Sequence, residues 1–143
     1  MSAASLPYDS EYPELTHYGY PTYPDGQLRS SVNDMAKFLR AMMNSGSLDG
    51  TKILEPKTLQ AMLEPQFPNA QKDEDQGLFW AFKKGLIGHA GGDPGASLYM
   101  YWNPETRIGV VTANTALTPK NSSGMVSILK TILRDPATVK LFR

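Results

Sequence analysis

The residues best suited to chemistry lie in one glycine-rich segment, which runs Gly88-His89-Ala90-Gly91-Gly92-Asp93-Pro94-Gly95. A phosphate-binding loop is the first function to test, because such loops are rich in glycine and bind through backbone N–H groups. Both common versions need a helix directly after the glycines, whereas Asp93-Pro94-Gly95 leads into a predicted strand. A nucleotide site is therefore disfavoured. The glycines also fit a plain turn between strands, with His89 as a half-exposed strand residue, so this segment alone leaves structure and function open.

Two predicted helices precede this segment and would help to position it. Ser31, with Asp34 three residues later, resembles a capping box and marks the start of the first helix. The apolar face of that helix is formed by residues at helical spacing, namely Met35, Phe38, Leu39, Met42 and Met43. A second, shorter helix is predicted from about Pro56 to just before Pro65. The polar, proline-containing residues 64–76 are interpreted as a loop.

From Gly77 onward the apolar pattern has a period of two, which is typical of strands. The predicted strands cover residues 77–82, 86–89, 96–102 and 108–113, with a turn at 103–106. A final helix over residues 123–134 carries an apolar stripe that would cover one face of the sheet. The predicted class is α+β, with helices followed by an antiparallel β-meander that a C-terminal helix covers.

We predict a single domain over residues 1–143, in three parts. These are an extended lead-in rich in proline and tyrosine (1–30), a helical part (31–66) and the sheet with its C-terminal helix (77–143). Proline removes a backbone donor and fixes φ, so the lead-in is expected to form neither helix nor central strand.

The composition excludes several functional classes. Fourteen Lys and Arg residues balance fourteen Asp and Glu residues, whereas binding to nucleic acid normally requires a basic surplus. No apolar run approaches the ~20 residues of a membrane-spanning helix. The sequence has no cysteine and only two histidines, so we expect neither a metal centre nor another cofactor. The first residues show no signal peptide, which leaves the localisation unknown.

Three segments, in the same order along the chain, resemble the serine β-lactamase-like hydrolases, which include class C β-lactamases, penicillin-binding proteins and related esterases. They are GQLRSSVNDMAKFL at 26–39, ILEPKTLQAMLEPQ at 53–66, and the run from Gly88 to Asn114 that begins GHAGG. The resemblance covers about residues 20–134 and departs from the family pattern at Gln27, where the family usually has a second glycine. It implies a partial β-lactamase-like fold that lacks the family's N-terminal portion.

The resemblance also implies roles for four residues. In the family a Lys-Thr-Gly or His-x-Gly strand motif forms one wall of the active site, and His89-Ala90-Gly91 matches the histidine form. His89 would donate toward the nucleophile and a substrate carboxylate, while Ala90 and Gly91 would let the substrate lie beside the strand. The backbone N–H of Gly92 would be an oxyanion donor. The family performs acyl transfer on β-lactams, D-amino-acid peptides or esters, and these residues do not specify which substrate applies.

Acyl transfer also needs a nucleophilic serine, a lysine one helical turn later, and a Tyr-x-Asn or Ser-x-Asn element. Ser127 and Lys130 have the first spacing, but they follow the His-x-Gly motif instead of preceding it. Ser31-Val32-Asn33 and Tyr101-Trp102-Asn103 match the second element, but Ser31 is the predicted helix cap and Asn103-Pro104 a predicted turn. We interpret all three as coincidences of spacing, so no complete catalytic set is predicted.

These inferences predict a C-terminal fragment or truncated paralogue of a serine hydrolase that carries the oxyanion wall and is inactive alone. Two alternatives stay open: a non-catalytic binding or assembly module on the same fold, and a split hydrolase whose N-terminal half is on another chain. The strand Ile108-Gly109-Val110-Val111-Thr112-Ala113 contains no charge and no proline, and in the related fold its outer neighbour belongs to the N-terminal portion. We therefore expect an unpaired edge there and a homodimer that pairs it with a second copy.

Overall fold

The computed structural model describes residues 19, 21, 23–26, 28–71, 74–115 and 119–134. These residues form the helices α1 (Tyr23–Gly26), α2 (Val32–Met43), α3 (Pro56–Met62) and α4 (Pro119–Arg134). The strands are β1 (Ser47–Leu48), β2 (Thr51–Lys52), β3 (Phe67–Gln71), β4 (Glu74–Gln76), β5 (Ala81–Lys83), β6 (Leu86–Asp93), β7 (Ala96–Asn103) and β8 (Ile108–Asn114). Most of the predicted lead-in (1–18) and the chain after α4 (135–143) lie outside the described residues.

Strands β3 to β8 form one six-stranded sheet in which the spatial order is the chain order. Every neighbouring pair is antiparallel. The first two strands form a separate small hairpin in which Ser47 pairs with Lys52. The predicted α+β class, with an antiparallel meander and a covering C-terminal helix, is confirmed.

Helix α2 packs on one face of this sheet. Its start is fixed by Ser31, whose Oγ accepts a hydrogen bond from the Asp34 N–H at 3.1 Å, as the sequence predicts. Its buried residues join Leu59 of α3, Trp80 of the turn before β5 and two residues of β7 in one core, formed by Leu39, Ala41, Met42, Leu59, Trp80, Met100 and Trp102. A Cβ at Gly109 would lie 2.7 Å from Met43 Sδ and 2.9 Å from Leu39 Cδ2, so the side chains of α2 pack closely on β8 at that glycine.

Helix α4 packs on the opposite face of the sheet. This follows from its contacts with β7, whose successive side chains point to opposite faces. Met100 and Trp102 belong to the core under α2. Ser97 Oγ instead lies 3.6 Å from Met125 Sδ of α4, and Asn103 Nδ2 donates to the Leu133 carbonyl at 3.1 Å. Strands β7 and β8 are therefore covered by α2 on one side and by α4 on the other.

Residues 64–76 contain two strands, β3 and β4, so the predicted loop is wrong there. Glu74 pairs with Gln71, and Gln76 pairs with Phe67, with a shift of register between the two pairs. The polar, proline-containing composition suggested a loop, but β3 is the first strand of the sheet, and an edge strand tolerates proline and polar side chains.

The strand predicted over residues 77–82 is shorter in the structure, because β5 begins only at Ala81. The Gly77 N–H donates to the Trp80 carbonyl at 2.8 Å, and Phe79 has a φ of 76°. A turn therefore replaces the first half of the predicted strand. Four further differences are the small hairpin at 47–52, the helical turn α1 within the predicted extended lead-in, the end of β6 at Asp93 instead of residue 89, and the start of α4 at Pro119 instead of residue 123.

Candidate functional site

Strand β6 carries the glycine-rich segment, and its two edges are paired unequally. On one side β7 pairs with it continuously from Ile87 to Asp93. On the other side β5 pairs only with residues 86–88. Among the residues that the structure describes, the stretch 89–92 therefore pairs with β7 alone. Such a strand edge presents backbone N–H and C=O groups to an incoming ligand.

The length of this open stretch follows from the turns on either side of β5. Lys84 and Gly85 both have positive φ, 52° and 78°, as a two-residue hairpin turn of type I′ requires. This turn sets the register of β5 against β6, so that Ala81 pairs with Gly88. Because the turn at 77–80 delays the start of β5 until Ala81, the ladder ends at Gly88. The residues beyond it, 89–92, are exposed.

Two glycines of β6 have opposite surroundings. A Cβ on Gly88 would collide with the Met100 carbonyl oxygen and with the Tyr101 ring, so β6 and β7 can approach there only because the side chain is absent. A Cβ on Gly91 would meet no atom within 4 Å. Gly88 is therefore required by packing, whereas Gly91 borders open space.

His89 is exposed and lies on the face of the sheet that α2 covers, since it pairs with Met100. Its Nδ1 lies 3.1 Å from the Ala90 carbonyl oxygen. A carbonyl oxygen only accepts, so in this contact Nδ1 carries a proton, and Nε2 accepts when the ring is neutral and donates when the ring is doubly protonated. The Phe79 ring stacks on the imidazole with centroids 5.2 Å apart and an interplanar angle of 26°.

A group of aromatic rings supports this stack from below. Trp80 is fully buried and meets Phe79 edge-on at 4.8 Å and Trp102 edge-on at 4.8 Å. Phe38 of α2 stacks on Trp80 at 6.1 Å. Edge-to-face and offset contacts of this kind are the preferred arrangements of aromatic pairs. Helix α2 and the 77–80 turn thus hold the ring that lies over His89.

The two serine-containing matches to the family's catalytic elements lie outside the glycine-rich segment, one at the start of α2 and the other on α4. Ser31 caps α2 and also donates from its Oγ to Asp34 Oδ2 at 2.8 Å. Ser127 and Lys130 are exposed on α4. Because α4 covers the face of the sheet opposite to the one that carries His89, this pair lies on the other side of the sheet from the His89 side chain.

The Tyr101-Trp102-Asn103 element is also structural. Asn103 Oδ1 accepts from the backbone N–H groups of Glu105 and Thr106, at 2.9 and 3.3 Å, which closes the turn predicted after β7. Burial, and secondarily the charge of Glu74, raises the pKa of Tyr101 above its ordinary value of 10.0. Its hydroxyl is therefore protonated at neutral pH and is not a general base.

Within the described ranges, no cluster of three or more histidine, aspartate or glutamate residues is arranged to hold a metal ion. The helices of that part of the chain are also too short or too polar to cross a membrane.

A model of the β-lactamase family matches residues 2–125 of the chain. This span is most of the 143 residues, so the chain belongs to the β-lactamase family. The fold and the family together define a domain of the serine β-lactamase-like hydrolase type, as the three sequence segments predict. A search of the curated proteins finds no match.

Two features of the site were not predicted from the sequence. One is the open stretch 89–92, which depends on where β5 starts. The other is Phe79, which sequence analysis placed within a regular strand and which the structure places in a turn, over His89. No local signal in the sequence marks a phenylalanine for positive φ, because glycine and asparagine are the residues usually found there.

Proposed function

We propose that residues 89–92 form the oxyanion wall of a serine acyl-transfer site. In this proposal the Gly92 N–H faces the oxyanion, His89 faces the nucleophile and a substrate carboxylate, and Ala90 and Gly91 make room for the substrate beside the strand. The observation that carries the proposal is the exposed, singly paired stretch 89–92 in a chain of the β-lactamase family.

We further propose that the chain alone does not turn over substrate and that the nucleophile is supplied by an N-terminal half of the hydrolase. In the part of the chain that the structure describes, the Ser-x-x-Lys pair is on the opposite face of the sheet from His89. An oxyanion site without a nucleophile gives a residual rate about 10³–10⁴-fold above that of the reaction in water. We expect a bulk assay of hydrolysis to miss this residual rate.

The test is covalent labelling by a fluorophosphonate and by a fluorescent penicillin. We expect no label on the chain alone and a labelled serine on a co-expressed N-terminal half that carries Ser-x-x-Lys. The matched control is Ser127→Ala, which should change neither result. Labelling of the isolated chain that disappears in Ser127→Ala would contradict the proposal and place the nucleophile on α4. Absence of labelling with every partner half would favour the alternative, a non-catalytic binding module on the same fold.

We also propose that the outer edge of β8 pairs with β8 of a second copy. In the described residues β8 pairs with β7 and with no other strand. Residues 108–113 carry no charge and no proline, which are two of the usual devices that protect an edge strand. An isologous pairing across a two-fold axis would satisfy both copies at once. The same edge would accept a strand of the N-terminal half, so the two partners would compete for it.

A further inference from the structure

The turn that precedes β5 holds Phe79 in an unfavourable backbone conformation. Its φ of 76° lies in the left-handed region, which a bulky side chain rarely adopts. The residue is 51% exposed, so only about half of its surface gains from burial. Strained residues of this kind concentrate at binding and catalytic sites, where the surrounding structure holds them.

The strained backbone places the ring beside the open stretch of β6. Phe79 stacks on His89 at 5.2 Å, and it meets Phe38 edge-on at 6.3 Å and Trp80 edge-on at 4.8 Å. These contacts fix its orientation from two sides. Because the ring is half exposed, it forms an apolar shelf at the border of residues 89–92.

Next to this shelf, on the face of the sheet that carries His89, there is open space above Gly91. His89 and Gly91 point to the same side of β6, because they are two residues apart. Above Gly91 a Cβ would meet no atom within 4 Å. A side chain on a strand added along 89–92 would lie about 5 Å from the residue opposite it, within reach of the aromatic shelf.

We propose that Phe79 is a specificity-determining residue that selects extended, peptide-like acyl substrates with an aromatic side chain. The amide backbone of such a ligand pairs with the open edge of residues 89–92, and its aromatic ring fills the space above Gly91 against Phe79. This inference rests on the proposed function, since it needs 89–92 to be the substrate-binding edge. An uncharged aromatic group fits the shelf because the shelf is a phenyl ring, stacked on the His89 imidazole, and aromatic rings favour stacked or edge-on partners.

The test uses two matched peptides and the ¹⁵N-labelled chain, followed by NMR. The peptides are N-acetyl-Ala-Phe-Ala-amide and N-acetyl-Ala-Ala-Ala-amide, which differ in one side chain. We expect both to shift the amide signals of residues 89–92 and the aromatic peptide to bind about threefold to tenfold more tightly, the range that one aromatic pair provides. A peptide with cyclohexylalanine in the middle position should bind more weakly than the aromatic one.

Variants separate the shelf from a structural role. Phe79→Gly, or Phe79→Asn as a second variant that tolerates positive φ, should remove the preference for the aromatic peptide without lowering the melting temperature. The matched control is Leu78→Ala, because Leu78 is exposed to a similar extent (48%) and is not among the stacked rings. It should keep the preference.

Three results would overturn the inference. Equal affinity for the two peptides, with shifts at 89–92, would refute the shelf and leave the strand edge as a binding site. Absence of shifts with both peptides would refute the shelf and the proposed oxyanion wall together. A clear fall in the melting temperature of both Phe79 variants would show that the ring serves the fold, which also contradicts the inference.

Discussion

The side-chain amide of Asn103 joins the end of β7 to the last turn of α4, since its Nδ2 donates to the Leu133 carbonyl oxygen at 3.1 Å. A carbonyl in the last turn of a helix has no partner within the helix. The same side chain accepts from two backbone N–H groups of the following turn. Asn103 thus links the helix, the strand and the turn, which agrees with the interpretation of its Tyr-x-Asn match as a coincidence of spacing.

We expect Asn103→Ala to lower the free energy of unfolding by about 1–3 kcal/mol, because it removes hydrogen bonds and leaves a partly buried carbonyl unpaired. Urea unfolding followed by circular dichroism measures this. Gln60→Ala, which truncates an exposed amide on α3, is the matched control and should change the stability little. A loss no larger than that of the control would contradict the structural role.

The two glycines of β6 should respond differently to the same substitution. Gly88→Ala forces a Cβ against the backbone of Met100 and the Tyr101 ring, and we expect it to destabilise the fold by about 1–3 kcal/mol. Gly91→Ala places a Cβ in open space and should stay within about 0.5 kcal/mol of the parent. Thermal and urea unfolding of the two variants test this pair.

Gly91→Ala should nevertheless weaken binding of the aromatic tripeptide, because the added methyl occupies part of the space above β6. NMR titration of the variant, which remains folded, gives the affinity. Unchanged binding by Gly91→Ala would show that the ligand does not use this space, and equal stability of the two alanine variants would show that the glycine packing is wrong.

The carboxyl of Asp34 should titrate below its ordinary value of 3.8. The hydrogen bond from Lys37 lowers its pKa most, followed by the hydrogen bond from Ser31 and the charge of Lys37. Carbon-detected NMR titration should therefore give a pKa below 3.8 that rises in Lys37→Met and, by a smaller amount, in Ser31→Ala. Lys57→Met, which removes an exposed lysine of α3, is the control and should leave it unchanged.

The sign of the effect on stability follows from this direction. Because folding lowers the pKa of Asp34, its contribution is present above pH 3.8, the ordinary value, and is lost as the pH falls through the lower value of the folded state. The group is exposed, so added salt should reduce the effect. A pKa at or above 3.8 in the parent chain would contradict the observed contacts.

Proline substitutions in β8 test the proposed dimer. Successive N–H groups of a strand point to opposite edges, so one of Val110 and Val111 donates toward β7 and the other points outward. We expect one of Val110→Pro and Val111→Pro to dissociate the dimer while the monomer stays folded, and the other to destabilise the sheet. Sedimentation velocity over a range of concentrations, together with circular dichroism, distinguishes the two. A parent chain that is monomeric at every concentration would refute this pairing.

The helices and the central strands could be predicted because their patterns are strong and local. Ser31 marks the start of α2, and the apolar residues that follow it recur with the period of a helix. Strands β7 and β8 alternate or contain β-branched residues, and both are packed between two helices. Strands that pack on both faces are rich in apolar residues, which makes them recognisable in the sequence.

The features that could not be predicted depend on tertiary context. β3 and β4 have the composition of a loop because β3 is the edge strand and β4 is its neighbour, in a part of the sheet where little apolar burial is required. Phe79 alternates with Leu78 and Trp80 as a strand residue would, yet the turn closed by Gly77 and Trp80 places it at positive φ. The open stretch 89–92 has no signature of its own, because it is defined by the length of the neighbouring strand.

The order of the sheet also bears on how the chain folds. Each of the five pairings joins strands that are consecutive in the chain, so every ladder can close as a hairpin over a short loop. Local pairings of this kind have a low contact order, and such topologies fold rapidly because little entropy is lost before the first contacts form. The wall that contains residues 89–92 can therefore assemble from its own neighbouring strands, before any partner strand reaches the edge of β8.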